Sequence, residues 1–406
     1  MKRIIFVDDE ANVLEGLRRM LFFMSDEWEM EFVQSGEDAL EAMKEKPFDV
    51  IVTDMCMPGM DGTELLAQVK RLYPQTVRFV LTGHADDETA LRTVDMAHQF
   101  MSKPCDSHEL QALLQRALSL RQRLDDESVR QLVGSLESLP SLPKLYSELL
   151  DELLSPDASV RVVGRIIGKD VAMSAKVLQL VNSAFFGLRS EVTDLVQAAS
   201  LLGLETIKSL VLMIGTISNT SDGRLPSSFS LDEAARHSMA VAARAQAIAR
   251  TLTGDKHQVQ NAFTAGLLHD VGKLVLAANC RNEYSKVLSR VNEGETTLWE
   301  AEHAVFGSTH SEVGAYLLGL WGLPDAIVEA VAFHHVPGLC AEESFGTLTA
   351  VHVANCLEHE HEDHVYEGQR RSQQVDTEHL ARLGLDDRLS EWRVICGEIA
   401  VGGRDD

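Results

Sequence analysis

The sequence lacks paired cysteines and long hydrophobic runs. Its six cysteines are scattered with no C-x-x-C pair, which supports neither a zinc ribbon nor a disulfide framework and favours a reducing cytoplasm. The longest strongly apolar run, residues 210–217, is far shorter than the roughly 20 residues that a bilayer span needs. Acidic residues follow the short apolar N-terminal stretch at once, unlike a signal peptide. We therefore expect no membrane partner.

Basic charge is also scarce. The 406 residues include 37 Lys and Arg against 62 Asp and Glu, a net charge of −25, and no run of Lys and Arg exceeds two residues. Duplex binding needs clustered cations, so we expect no direct nucleic-acid binding. A content of 45% hydrophobic and 24% charged residues is ordinary for a soluble globular protein. The length suits two or three domains of roughly 100–200 residues each.

The first third of the chain alternates apolar runs with helical patterns of about ten residues. The predicted strands span residues 3–7, 30–33, 49–53, 78–82 and 99–102. Strands that are separated by helices imply a parallel sheet with both faces covered. The prediction is an N-terminal α/β domain with a five-stranded, doubly wound, flavodoxin-like sheet, followed by an all-α domain.

Polar side chains gather at the carboxyl ends of these strands, where such sheets bind ligands. Asp8 and Asp9 follow the first strand and Asp54 follows the third. Thr82 ends the fourth strand, and Lys103 follows the fifth. Three adjacent carboxylates repel one another unless a hard cation such as Mg²⁺ joins them. A carboxylate nucleophile with Mg²⁺, Lys and Thr predicts phosphoryl transfer.

The first 120 residues resemble the receiver domain of two-component response regulators. The resemblance is carried by FVDDE (6–10), VTDMCMPGMDG (52–62), LTGHA (81–85) and SKP (102–104). It implies that Asp54 accepts a phosphoryl group from a histidine kinase or phosphotransfer protein. It also implies that Asp8, Asp9, Asp54 and the carbonyl of Cys56 hold Mg²⁺.

The same resemblance assigns two further roles. Thr82 and Lys103 would bind the phosphoryl oxygens, and Thr82 and Phe100 would act as switch residues. Phe100 occupies the aromatic switch position three residues before Lys103. Because it lacks the hydroxyl of the more usual tyrosine, a switch there would be purely a packing event.

A leucine-rich stripe over residues 107–124 leads into a helical region. The stripe fits a short dimeric coiled coil and a helix packed on its own receiver domain equally well, so a homodimer is one expectation. The predicted divisions are a receiver at 1–122, a helical linker at 123–139, a helical output domain at 140–340 and a helical, acidic C-terminal extension at 341–406. The predicted helices after the linker are 144–154, 159–168, 170–182, 193–202, 205–217, 231–253, 258–268, 283–293, 310–321, 324–333, 346–358 and 389–401.

Histidines recur at suggestive places in this helical region, with one aspartate among them. Imidazoles and carboxylates on inward helix faces can hold one or two transition metals, which can activate water for phosphodiester hydrolysis. A single buried histidine is more often a hydrogen-bonded core residue. Glu233, one turn before the first histidine, is a further candidate. The main candidates are His237, His269, Asp270, His310, His334 and His335.

Residues 140–335 resemble the HDOD domain, a relative of the HD-domain phosphohydrolases. The resemblance is carried by LVNSAFFG (180–187), LLGLETIK (201–208), LLHDVGK (267–273), HSEVGAYLL (310–318) and WGLP (321–324). The HD-GYP phosphodiesterases, which cleave cyclic di-GMP, share the order H…HD…H…HH. Asn355 aligns best with a further aspartate of those enzymes, and no G-Y-P sequence follows His335.

Two functions are compatible with this sequence. The first is a cytoplasmic response regulator, phosphorylated on Asp54, whose HDOD domain binds downstream signalling proteins without catalysis. The alternative is a response regulator whose output is a metal-dependent phosphohydrolase, similar to cyclic-dinucleotide phosphodiesterases and using Fe, Mn or Zn. Asn355 and the missing G-Y-P loop favour the binding output.

Overall fold

The computed structural model describes most of the chain. It covers residues 2–82, 96–103, 105–123, 130, 132–134, 143–155, 157–182, 192–204, 207, 225–294, 296–340, 344–361 and 374–402. Several predictions lie outside these ranges. They are the motif residues 83–85, 104, 183–187, 205–206 and 208, most of the linker at 123–139, and most of the helix at 205–217.

The N-terminal domain is a parallel α/β sandwich, and the predicted fold class is confirmed. The sheet has the strand order β2-β1-β3-β4-β5, and every neighbouring pair is parallel. The strands are β1 (Lys2–Val7), β2 (Trp28–Val33), β3 (Val50–Asp54), β4 (Val77–Thr82) and β5 (Gln99–Ser102). The helices are α1 (Ala11–Met20), α2 (Gly36–Glu45), α3 (Gly62–Leu72) and α4 (Ser107–Arg123).

The apolar runs of the central strands explain why they lie inside the sheet. Every residue of β3 and β4 is buried, as strands covered by helices on both faces require. The strand order brings the carboxyl ends of β1, β3, β4 and β5 side by side. Helix α3 approaches this edge closely, because a Cβ added to Gly62 would lie 2.1 Å from the carbonyl oxygen of Asp54.

Helix α4 carries the leucine-rich stripe. Leu110, Leu114 and Ala117 are buried within the chain itself, so these positions are not available to the seam of a dimeric coiled coil. For these three positions, the leucine-rich stripe therefore packs within its own chain and does not form a dimeric coiled coil.

The second domain consists of helices. They are α5 (Pro143–Leu154), α6 (Val160–Ile167), α7 (Val171–Val181), α8 (Leu195–Leu202), α9 (Leu231–Leu252), α10 (Lys256–Leu268), α11 (Val271–Asn279), α12 (Arg281–Asn292), α13 (Leu298–Phe306), α14 (His310–Leu320), α15 (Asp325–Phe333), α16 (Thr347–His361), α17 (Thr377–Arg382) and α18 (Leu389–Gly402). Three of these, α11, α13 and α17, were not predicted from the sequence. Within the described ranges, no helix is both long enough and apolar enough to cross a bilayer.

The longest helix, α9, forms the centre of this domain and packs against α10, α16 and α18. Trp392 of α18 is fully buried, and its Nε1 donates a hydrogen bond to Oγ1 of Thr251, 3.0 Å away, at the end of α9. The described residues after 344 therefore pack onto the same helical body as the residues before 340.

Candidate functional site

The first candidate site lies at the carboxyl edge of the sheet. Carboxylate oxygens of Asp8, Asp9 and Asp54 lie within 4.8 Å of one another. Nζ of Lys103 lies 2.6 Å from Oδ2 of Asp8 and 2.8 Å from Oδ1 of Asp54. Thr82 ends the neighbouring strand β4, and its carbonyl accepts a hydrogen bond from the backbone N–H of Lys103 at 2.7 Å. The structure thus brings together the five polar residues that the strand ends predicted.

Burial shapes the electrostatics of this cluster. Asp8 is fully buried and Asp54 nearly so. Burial raises the pKa of Asp54, Lys103 opposes that rise, and Asp8 adds to it. Burial would lower the pKa of Lys103, but its hydrogen bonds to Asp54 and Asp8 outweigh burial and raise it. Lys103 therefore stays charged.

The donor set of this cluster fits Mg²⁺. Three carboxylates against one ammonium leave two negative charges, which a divalent cation neutralises, and oxygen ligands are those that Mg²⁺ prefers. Cys56, whose carbonyl was predicted as a further ligand, is exposed just beyond β3. Phe100 lies in β5, and its side chain is outside the described part of the chain.

The second candidate site lies in the helical domain and centres on Asp270. Oδ2 of Asp270 lies 3.8 Å from Nε2 of His237 and 3.3 Å from Nε2 of His269. Oδ1 lies 3.4 Å from Nε2 of His310 and 3.8 Å from Nε2 of His334. One carboxylate therefore faces two groups of imidazoles, one on each oxygen. Such an arrangement is typical of a ligand that bridges two cations.

The predicted ligands come from five places in the helical domain. His237 lies in α9, His269 and Asp270 join α10 to α11, and His310 is the first residue of α14. The remaining two histidines follow α15 directly, and Asn355 lies in α16. Glu233 does not join them, because it is exposed in the first turn of α9, where its backbone N–H bonds to Ser230.

We call the first group the A half: His237, His269 and Oδ2 of Asp270. Two features weaken it as a cation site. Nζ of Lys273 lies 2.5 Å from Oδ2 of Asp270, so a cation there would compete with this ammonium for the oxygen. Oδ1 of Asn355 lies 3.1 Å from Nε2 of His237, and its amide supplies no charge. The A half therefore has no second carboxylate to hold a dication against Lys273.

We call the second group the B half: Oδ1 of Asp270, His310, His334 and His335. Their ligand atoms lie within 4.8 Å of one another, and Nε2 of His310 is 3.0 Å from Nε2 of His335. Oδ1 of Asp270 and Nε2 of His334 are buried without a hydrogen-bond partner among the described residues. A buried polar atom left unpaired costs about 1–3 kcal/mol, and a bound cation would pair these lone pairs. The B half therefore fits a transition metal with nitrogen and oxygen ligands.

Hydrogen bonds fix the orientation of these imidazoles. Nδ1 of His269 donates to the carbonyl of Gly266 at 2.7 Å, and Nδ1 of His334 donates to that of Val331 at 2.8 Å. Each bond directs Nε2 of the same ring towards Asp270. Partners of this kind hold metal-ligating histidines in many proteins.

Glu302 orients His310 and was not found from the sequence. It is fully buried, and its Oε2 lies 2.5 Å from Nδ1 and 2.9 Å from the backbone N of His310. The hydroxyl of Tyr284 donates to its other oxygen at 3.2 Å. Glu302 lies in α13 and His310 begins the next helix, α14, so only the fold reveals this contact.

Burial sets the protonation of most imidazoles at this site. Burial lowers the pKa of His269, His334 and His335, so these rings are neutral and their Nε2 atoms can coordinate. Burial would lower the pKa of His310 as well, but Glu302 outweighs it and raises that pKa, so a cation that binds this ring would displace a proton. Burial would raise the pKa of Asp270, yet its interactions with His269, Lys273 and His310 hold it well below its usual range.

Two family models match the chain. The model described as response regulator receiver domain matches residues 4–115. The model described as HDOD domain matches residues 139–337.

Curated relatives match parts of the chain. An uncharacterized protein of Treponema pallidum (strain Nichols) is 26% identical over 231 residues, covering 55% of this chain and 43% of that protein. The transcriptional regulatory protein ZraR of Escherichia coli (strain K12) is 29% identical over 196 residues, covering 45% of this chain and 44% of that protein. The chain thus spans less than half the length of these curated relatives.

Solved structures are similar as well. The MmoQ response regulator from Methylococcus capsulatus str. Bath has 24% identity and a TM-score of 0.48, covering 63% of this chain and 98% of its own. The signal receiver domain of an HD domain-containing protein from Pseudomonas fluorescens Pf-5 has 27% identity and a TM-score of 0.29, covering 30% of this chain and 98% of its own.

Proposed function

The chain joins a response regulator receiver domain to an HDOD domain, and from this architecture we propose that it is a cytoplasmic response regulator phosphorylated on Asp54. The observation that carries the proposal is the cluster of Asp8, Asp9, Asp54 and Lys103 at one sheet edge. A partly buried ammonium between two carboxylates is poised to bind the oxygens of a phosphoryl group. The donor would be a histidine kinase or a phosphotransfer protein.

The chemistry follows from the residues at this edge. The carboxylate of Asp54 attacks the phosphorus of a phosphohistidine, a P–O bond forms as the P–N bond breaks, and the donor histidine leaves with the bonding electrons. Lys103 then exchanges its contact with Asp54 for one with a phosphoryl oxygen, and the Thr82 hydroxyl donates to another. Mg²⁺ held by Asp8, Asp9, Asp54 and the Cys56 carbonyl would neutralise the charge on the phosphoryl oxygens.

The signal would pass through Thr82 and Phe100. Thr82 is nearly buried at the end of β4, and a movement of its hydroxyl towards the phosphoryl group would vacate space beside β5. We propose that the Phe100 ring fills that space in the phosphorylated state. A phosphoryl group shifts a two-state element only by binding its two states differently, and this exchange supplies the difference.

The output is proposed to be binding of downstream signalling proteins rather than catalysis. Two-metal hydrolysis needs both cations, about 3.5–4 Å apart, to activate water and stabilise the leaving oxygen. The A half offers a neutral amide at Asn355 and a carboxylate oxygen that Lys273 already contacts. If the B half held one cation, the second cation that two-metal hydrolysis needs would still be absent.

We further propose a division of the chain into a receiver at 1–122, a linker at 123–139, an HDOD domain at 140–340 and an extension at 341–406. The excess of acidic residues supports protein partners over nucleic acid. A homodimer remains part of this proposal, although the buried part of the α4 stripe does not supply its interface.

We expect no multiple turnovers of cyclic di-GMP or of generic phosphodiesters, because the A half does not hold its cation firmly. The assay uses protein purified without chelator, with Mn²⁺ or Fe²⁺ added, and follows product over many equivalents of substrate. Turnover that His269→Ala and Asp270→Ala both abolish would contradict the non-catalytic output.

That contrary result would support a second candidate function, a metal-dependent phosphohydrolase. The observation that favours it is the bridging position of Asp270 between two groups of imidazoles. Fe, Mn or Zn would then occupy both halves.

A further inference from the structure

The receiver domain contacts the helical domain along α14, where α4 packs, and at the turn formed by residues 320–325 between α14 and α15. Nε2 of Gln99, at the start of β5, donates to the carbonyl of Leu320 at 3.0 Å. Gln99 is almost completely buried. Gly322 has a φ of +78°, and a Cβ added there would lie 2.4 Å from Nε2 of Gln99. The turn is therefore shaped to receive this side chain.

Arg116 of α4 holds the other side of the same turn. Its guanidinium donates to the carbonyl of Leu323 and lies 2.9 Å from Oδ1 of Asp325. Asp325 is exposed, so this ion pair alone contributes little. The bond to the carbonyl fixes the path of the turn, since a guanidinium presents its donors in a rigid plane.

The two helices that leave this turn end at the B half. Helix α14 runs from His310 to Leu320. Its first residue is a candidate metal ligand of the B half, and the carbonyl of its last residue accepts the hydrogen bond from Gln99. Helix α15 starts at Asp325, and His334 and His335 follow its last residue. The turn and the three histidines thus lie at opposite ends of one helical hairpin.

Close packing makes this hairpin stiff near the site. A Cβ added to Gly272 of α11 would lie 1.9 Å from the carbonyl oxygen of His310, so backbones are in direct contact there. Helices α14 and α15 also pack along each other. Closely packed interiors transmit small displacements instead of absorbing them, so a displaced turn would move the B-half histidines.

On the receiver side, strand β5 connects this contact to the phosphoacceptor. Gln99 opens the four-residue strand β5, which pairs with β4 and is followed directly by Lys103. Lys103 contacts Asp54 at 2.8 Å. One short strand therefore separates the group that would bind the phosphoryl oxygens from the side chain that holds the turn.

We propose that the hairpin α14–turn–α15 couples the receiver to the B half, so that phosphorylation of Asp54 changes the affinity of this half for a divalent transition metal. The proposal rests on the proposed phosphorylation at Asp54. The receiver holds the hairpin that carries His310, His334 and His335, whereas Asp270 lies on the α10–α11 connection. Because His310 packs directly on Gly272, a shift of α15 changes mainly the distances of His334 and His335 from Asp270, which alters cation affinity.

Coupling between two sites is reciprocal. If phosphorylation changes metal affinity, a metal in the B half must change the equilibrium of the receiver by the same factor. Continuity of structure does not by itself demonstrate coupling, so the test has to measure the affinity at one site as a function of the state of the other.

The experiment titrates the full chain with Co²⁺ in saturating Mg²⁺ and follows the visible absorption of histidine-bound cobalt, with and without beryllofluoride. His335→Ala identifies the signal as that of the B half. We expect beryllofluoride to change the Co²⁺ affinity of the parent chain by at least about fivefold, the lower range of typical allosteric coupling. Asp54→Asn and the double variant Gln99→Ala, Arg116→Ala should show no such change.

Arg393→Ala is the matched control, because Arg393 forms an ion pair with Glu360 on the outside of the helical domain and should leave the coupling intact. If the double variant does not fold, Arg116→Lys replaces it in the experiment. This change keeps the positive charge but removes the planar set of donors that contacts the turn, and we expect it to weaken the coupling.

Each contrary outcome has a distinct meaning. A chain that binds beryllofluoride through Asp54 but shows unchanged Co²⁺ affinity overturns the coupling and leaves the proposed phosphorylation standing. A change that persists in folded Gln99 and Arg116 variants also overturns it, as does a B half that binds no Co²⁺. Failure to bind beryllofluoride, measured by fluorine NMR, would instead overturn the proposed function together with this inference.

Discussion

Incubation with acetyl phosphate and Mg²⁺ is expected to add one phosphoryl group to the chain, on Asp54. The reason is the placement of Lys103, whose ammonium lies 2.8 Å from Oδ1 of Asp54 and can neutralise the incoming phosphoryl oxygens. Asp54→Asn should remove the label completely, because an amide oxygen is not a nucleophile of comparable strength. Borohydride trapping followed by mass spectrometry locates the modified residue.

Asp26→Asn serves as the control for this experiment. Asp26 is exposed just before β2, at the amino-terminal edge of the sheet, and its replacement should leave labelling unchanged. Omission of Mg²⁺ should reduce labelling of the parent chain strongly, since Asp8 and Asp54 would then repel the phosphoryl group. Label on another residue, or equal labelling of the Asp54 variant, would contradict the assignment.

Elemental analysis of the purified chain is expected to find one tightly held transition metal, not two. The B half offers an oxygen of Asp270 that has no hydrogen-bond donor among the described residues, together with three imidazoles. In the A half, Lys273 contacts the other oxygen and Asn355 supplies no charge. Asp270→Ala should abolish tight binding, because it removes the only carboxylate of both halves. Asn355→Asp should add a second metal by supplying the missing charge.

Glu302→Gln tests how the B half is supported. The change keeps the size of the side chain but removes the negative charge that contacts Nδ1 of His310 at 2.5 Å. Loss of such a partner typically costs about 10–100-fold in metal affinity. Glu329→Gln, an exposed position on α15, is the matched control and should bind metal as the parent does. Two firmly held metals in the parent chain would contradict this account.

The sequence predicted the carboxyl edge of the sheet well because strand ends are local features. Asp8, Asp54 and Lys103 each follow an apolar run directly, and parallel strands place all such residues at one edge. No long-range information was needed to expect them together. The fold class followed from the same alternation of runs and helices.

Other features were hidden because they depend on tertiary contacts. The pairing of Glu302 with His310 and the bond from Gln99 to Leu320 join residues whose proximity no periodicity encodes. Helix α11 was missed because it follows α10 after only two residues, His269 and Asp270, so no polar loop separates it from the preceding helix. Helix α13 is only nine residues long, but the capping box from Thr297 to Glu300 was a local signal that could have located it.

For Glu233, the sequence suggested a place in the histidine site that the structure does not give it. Its spacing of four residues from His237 placed both on one helix face, which favoured a shared site. The structure shows that α9 begins at Leu231, so this glutamate lies in the exposed first turn while His237 is already inside the domain. Helical spacing establishes the face of a residue but not its depth along the helix.

Phosphorylation of Asp54 is expected to change the docking of the two domains or the self-association of the chain, and small-angle scattering with and without beryllofluoride measures this change. We expect different scattering profiles for the parent chain in the two states. Asp54→Asn should give identical profiles. Identical profiles and an identical oligomer mass for the parent chain in both states would contradict this expectation.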